Sequence, residues 1–210
     1  MKRPTMKRLT NAIPELAMAL ALALASGNAG AGNDFDYCLL CHGANANGNY
    51  GIRAPKLSGM EPWYLARQLE NFASGARGTP ADDAPGHEMR PVGLRLKQEG
   101  AIDAAVKFIG KLESRRPAPT VTGDVAHGKE LYQNCASCHG ARGEGNPALQ
   151  SPALAARSDW YLVTQLANYR KGLRGVDDRD TYGAQMRAIV ATLPDDKAIN
   201  DVVAYINTLK

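Results

Sequence analysis

The chain is short of the features that mark most function classes. It has four cysteines in 210 residues, all in two pentapeptides, so no thiol is spare for another role. No stretch alternates apolar and polar residues long enough to argue for a sheet, and no βαβ pattern of the thioredoxin kind surrounds the cysteines. A lasting excess of charge is missing too. Residues 1–31 hold four basic residues and one acidic one, and without them the totals of 25 and 21 leave a net charge of +1. That balance gives no basis for a nucleic-acid partner.

The long apolar run, Leu16 to Ala25, follows Lys2, Arg3, Lys7 and Arg8 and precedes small residues. It is too short to span a bilayer comfortably and reads as the core of a secretory signal peptide, with cleavage after Ala31 at Ala29-Gly30-Ala31. An uncleaved anchor, holding the protein peripherally at the membrane, is the alternative. The mature chain, residues 32–210, is expected in the bacterial periplasm and is long enough for one ordinary domain or two small ones.

A self-comparison decides for two. Shifting the sequence by 97 positions places Cys38, Cys41, His42 and Gly43 on Cys135, Cys138, His139 and Gly140 without a gap. Pro55 and Leu57 then meet Pro152 and Leu154, Trp63-Tyr64-Leu65 meets Trp160-Tyr161-Leu162, and Arg77-Gly78 meets Arg174-Gly175. Roughly a third of the aligned positions are identical, which marks a duplicated domain. Glu113 to Thr120, with two prolines and no apolar periodicity, reads as a short stiff linker. The expected division is a signal peptide over 1–31, a first domain over 32–116, a linker centred on 117–118 and a second domain over 119–210.

Each copy reads as all-α, with helices joined by Gly/Pro-rich loops. Pro62 suits a first helical turn, Leu65, Leu69 and Phe72 share a face, and Gly75 can end that helix. In the second copy Ser158 is the expected cap, Leu162, Leu166 and Tyr169 form the stripe, and Gly172 stops it. Domains of some ninety residues with so much loop need a staple beyond their apolar core.

The cysteines supply one. Cys38-Leu-Leu-Cys41-His42 and Cys135-Ala-Ser-Cys138-His139 have the Cys-x-x-Cys-His pattern that attaches c-type haem. Two thiols one helical turn apart can each form a thioether with a porphyrin vinyl group, while the adjacent imidazole reaches the iron. Such a pentapeptide can also be half of a zinc site or a redox-active dithiol, and a four-cysteine zinc site shared between the domains is the remaining competitor.

Residues 32–210 contain three methionines, Met60, Met89 and Met186, and two histidines outside the pentapeptides, His87 and His127. Met89 and Met186 each lie 47 residues after the motif histidine, whereas Arg157 stands where Met60 would repeat. Met89 and Met186 are therefore the expected sixth ligands, and a thioether opposite an imidazole favours ferrous iron. His87 in place of Met89 is the rival, giving a bis-histidine iron; otherwise it is a solvated loop residue. His127 is expected to be exposed. Pro55 and Pro152, each 13 residues after a motif histidine, are placed for a carbonyl to accept the ligand's Nδ1–H. Trp63, Tyr64, Arg77 and their counterparts Trp160, Tyr161 and Arg174 face either a haem propionate or the other domain, or simply pack.

These residues together resemble the di-haem cytochrome c4 family. The resemblance rests on CLLCHG and CASCHG, on APKLSG and SPALAA, on WYLARQLENFASGARG and WYLVTQLANYRKGLRG, and on Met89 and Met186 ahead of the terminal helices. It implies two tandem class I cytochrome c folds with haems facing each other across a pseudo-twofold interface. It also implies a monomeric carrier between redox protein partners, such as a quinol-oxidising complex and a terminal oxidase. Departures from the family pattern are a short helix before the first haem and the Pro/Asp-rich loop Thr79–Gly86. A carrier needs both irons six-coordinate, which two His/Met sets provide; a haem peroxidase needs an openable position. The nearer rival is a c-haem subunit of a dehydrogenase, flavin- or quinone-dependent.

Overall fold

The computed structural model describes residues 34–210; the expected signal peptide and its expected cleavage after Ala31 fall outside them. Eight α-helices form among the described residues. They are α1 (Tyr37–His42), α2 (Pro62–Ser74), α3 (Ala84–Gln98), α4 (Ile102–Gly110), α5 (Val125–His139), α6 (Asp159–Arg170), α7 (Thr181–Val190) and α8 (Asp196–Thr208). Short 3-10 turns interrupt the loops, and pairing of extended backbone is limited to two isolated bridges, Asn49–Ala54 and Asn146–Ser151. Helices α2, α3 and α4 in the first half correspond to α6, α7 and α8 in the second, and α1 to the end of α5.

The sequence explains the helix ends. Pro62 occupies the first turn of α2, where its missing N–H would find no intrahelical partner, and Gly75 ends the helix at φ 80°. Asp83, Asp124, Asp180 and Asp195 cap α3, α5, α7 and α8 by accepting backbone N–H bonds. Ser158 precedes α6 as expected but makes no side-chain cap bond. Asp159 beside it accepts instead from Thr120 N, Thr120 Oγ1, Val121 N and Asn207 Nδ2, fastening the connecting segment to the second half.

The segment Thr79–Gly86 is less of a loop than its composition suggests. Helix α3 already begins at Ala84, with Pro85 in its first turn, and runs through Pro91. His87 is thus an exposed helical residue rather than part of a loop. The helix survives because its far side packs closely on α2: a Cβ on Gly93 would lie 2.8 Å from the Leu69 carbonyl oxygen.

Two separate apolar clusters result. Leu65, Leu96, Ile102, Val106 and Ile109 form one, and Tyr132, Tyr169, Val190, Ile199, Val203 and Ile206 the other. Between them, residues 113–124 have no helix but are held at both ends. Lys56 Nζ reaches Ser114 Oγ at 2.8 Å and Asn47 Nδ2 donates to the Glu113 carbonyl, while Arg116 donates to the Leu209 carbonyl at 2.6 Å. The connection is stiff because it is tethered as well as because it contains proline.

Candidate functional site

Among the described residues each half holds an apolar cavity, of about 240 Å³ in the first and about 150 Å³ in the second. Cys38, Cys41, His42 and Met89 line the first; Cys135, Cys138, His139 and Met186 line the second. In both, the last turn of the cysteine-bearing helix delivers the histidine, which is 5% exposed at His42 and 4% at His139.

The imidazoles are fixed by the residues that the repeat singled out. His42 Nδ1 lies 2.7 Å from the Pro55 carbonyl oxygen and His139 Nδ1 2.7 Å from that of Pro152. A carbonyl only accepts, so Nδ1 carries the proton and Nε2 presents its lone pair. Burial pushes both imidazoles below their ordinary range, against the smaller opposing effect of those carbonyls, and keeps them neutral.

In the second cavity His139 Nε2 faces the Met186 sulfur at 3.4 Å. With the tautomer fixed, neither atom has a proton to give the other. Two lone-pair donors facing each other inside one cavity are suited to an electron-poor third atom such as iron. In the first cavity Met89 shares the wall with His42, and so does Met60. Position alone does not separate these two methionines; the repeat does, because Met89 matches Met186.

The competing cysteine chemistries fit less well. Burial and the neighbouring Cys138 push the Cys135 thiol up to about 11, and burial raises Cys38, whereas a redox dithiol depends on a depressed thiol. Among the described residues no three His, Cys, Asp or Glu side chains are grouped to hold a metal ion, so the zinc site shared between the halves does not form.

Arg77 and Arg174 face the other half rather than simply packing. Arg77 donates to Gln68 Oε1 at 2.8 Å in its own half, and to Tyr161 Oη at 2.8 Å and Gln165 Oε1 at 2.9 Å across the interface. Arg174 mirrors it, donating to Gln165, Tyr64 and Gln68. Each guanidinium also lies over an aromatic ring, Phe72 or Tyr169. They are 6% and 4% exposed, have no ion pair among the described residues, and each leaves a buried Nε without a partner. Burial alone would raise the Tyr64 phenol, but the charges of Arg174 and Arg77 outweigh it and lower it. Two uncompensated cations in the cavity walls suit a group with carboxylates, as the propionates of haem are.

Other contacts cross the interface, one of them through Trp160, for which facing the other domain is among the expected placements. Glu61 accepts from Ala153 N at 2.7 Å and from Arg157 Nη2 at 3.3 Å, and Arg67 donates to Gln150 while stacking on Tyr182. Tyr50 meets Trp160 edge-on with ring centroids 5.6 Å apart. His127, expected merely exposed, is half-exposed and donates Nδ1–H to the buried Asp201 at 2.8 Å.

The cytochrome c family profile matches residues 125–210. A thiosulfate dehydrogenase electron acceptor of Stutzerimonas stutzeri is 34% identical over 72% of this chain and 71% of its own. Cytochrome c4 of Pseudomonas aeruginosa is 30% identical over 82% of this chain and 83% of its own. Among solved structures, that of Acidithiobacillus ferrooxidans cytochrome c4 superposes with a TM-score of 0.65 at 25% identity, covering 82% of this chain and 98% of that one.

Proposed function

From the premise that this chain belongs to the di-haem cytochrome c4 family, we propose that it is a periplasmic carrier whose two irons are each closed by one histidine and one methionine. It carries two covalently bound haem c groups and transfers electrons. The assigned thioether positions are Cys38 and Cys41 in the first domain and Cys135 and Cys138 in the second. His42 with Met89 and His139 with Met186 are the assigned iron ligands, and Pro55 and Pro152 orient the imidazoles. Bound there, each haem supplies a one-electron couple on its iron. The chain's own part is to hold neutral imidazoles, exclude water from the cavities and place buried cations opposite the haem carboxylates. Domain limits of 32–116 and 119–210, export after cleavage near Ala31, and a monomeric state belong to the same proposal.

The observation that carries this reading is the 3.4 Å approach of His139 Nε2 to Met186 Sδ in a cavity that both cysteines of the motif also line. With one histidine and one methionine of this chain as its ligands, a haem iron would change charge with little rearrangement and would offer no site to a substrate. A redox titration of the purified holoprotein tests it. The expected result is two reversible one-electron steps and two haems per chain; a single haem, or turnover of peroxide by the isolated chain, overturns it.

The relative named a thiosulfate dehydrogenase electron acceptor favours a second reading of the donor. In it, the electrons come from a dehydrogenase rather than from a quinol-oxidising complex. Rapid mixing with each reduced donor in turn separates the two, since the physiological donor reduces the haems within the mixing experiment and the other does not.

A further inference from the structure

The two methionine-bearing helices, α3 and α7, both start at the domain interface. Their first turns are capped by Asp83 and Asp180, 5% and 4% exposed. Asp83 Oδ1 accepts from Gly86 N at 3.2 Å, and Asp180 Oδ1 from Gly183 N at 3.0 Å. Here the symmetry breaks. Asp83 Oδ1 also accepts from Asn168 Nδ2, on α6 of the other half, at 3.3 Å. The repeat pairs Asn168 with Asn71 and Asp83 with Asp180, yet Asn71 Nδ2 and Asp180 Oδ2 are both buried without a partner.

The contact is made where the helix needs it more. Pro91 in α3 has no N–H to give the His87 carbonyl, so the part of α3 that carries Met89 lacks an intrahelical bond. Helix α7 has no internal proline. A buried, charge-assisted hydrogen bond to the cap compensates for that loss, and it comes from the other domain.

We propose that Asn168 is a positioning residue for the methionine of the first haem, acting across the domain interface. Asn168 holds Asp83, Asp83 holds the first turn of α3, and Met89 follows six residues after the cap. Ligation at one iron therefore depends on a side chain of the other domain, while the reverse dependence, through Asn71, is weak. The inference rests on Met89 being an iron ligand, as assigned above.

The test is made on full-length holoprotein, following the sulfur-to-iron charge-transfer band and the rate at which added imidazole displaces methionine at each iron. N168A and N168D are expected to speed displacement at the first haem roughly tenfold and to leave the second unchanged, as loss of one charge-assisted bond to a buried group implies. N71A is expected to change neither haem. The double variant D83N/N168D exchanges donor and acceptor while keeping a capping residue, and is expected to restore the slow rate. Equal effects at both haems, an unchanged first haem in N168A, or no rescue by the exchange overturns the proposal. Should the single variants not retain haem, the exchange variant decides: a wild-type displacement rate supports the proposal, and fast displacement contradicts it. R67A, which loosens the interface away from Asp83, is expected to leave the first haem's rate alone. Absence of the band from the unmodified protein would instead remove the ligand assignment itself.

Discussion

His139 turns its Nε2 toward the Met186 sulfur at 3.4 Å while the Pro152 carbonyl holds its Nδ1 at 2.7 Å. One short loop thus fixes the ring, its tautomer and the direction of its lone pair, and one helix brings the sulfur to meet it. His42 has the same carbonyl partner, from Pro55. The carbonyl hold on the imidazole is made in both halves, and in the second half the methionine sulfur is already in contact with the ring.

Replacing either methionine should open one iron only. In M186A the second haem is expected to bind carbon monoxide while the first still excludes it, and M89A should do the converse. Flash photolysis of the carbon monoxide complexes, counted per haem, checks this. If M89A binds no carbon monoxide, Met60, in the wall of the same cavity, becomes the candidate ligand.

The buried guanidiniums should raise the potential of the haem beside them, because a nearby cation disfavours the more positive ferric state. R77Q is expected to lower the potential of the first haem and R174Q that of the second. Spectroelectrochemical titration reads both. A rise in either potential would contradict a placement of these cations near the haem carboxylates.

The Glu61–Arg157 pair joins the halves, with side chains 22% and 8% exposed. E61A leaves the Arg157 cation buried without its partner and frees the Ala153 N–H, at a cost of about 3 kcal/mol. The double variant E61A/R157A should cost clearly less than the two single changes together. Denaturant unfolding of the four proteins measures the coupling.

Lys56 sets a pH dependence. Burial, with Arg157 nearby, lowers its ammonium to about 8, while its Nζ donates to the Ser58 carbonyl and Ser114 Oγ. In the unfolded chain the group keeps its ordinary value of about 10.4. Below pH 8 both states are protonated and the full penalty of burying the charge is present. Between about 8 and 10.4 the unfolded chain holds more protons than the folded one, so this group makes stability rise with pH. The rise is at most about 3 kcal/mol, and K56M should abolish it in unfolding measurements across that window.

The fold and both cavities were legible because the duplication compares the chain with itself. Pro55, Pro152 and the methionine register all emerge from a shift of 97. Helix α3 was only partly legible: Pro85, Gly86 and Pro91 argue locally for a loop, and packing of Gly93 on α2 overrides them. His127 gave no hint of Asp201, which comes from 74 positions away. The Asn168–Asp83 contact was equally hidden, since no spacing rule links residues that meet only when two domains dock.

The most direct measurement of closed coordination at both irons is the near-infrared sulfur-to-iron charge-transfer absorption of the oxidised holoprotein, quantified per haem, with the reduced form then exposed to carbon monoxide. Two methionine-ligated haems per chain and no carbon monoxide binding at neutral pH are the expected result. An intensity of one per chain, or ready carbon monoxide binding by the folded protein, would contradict it.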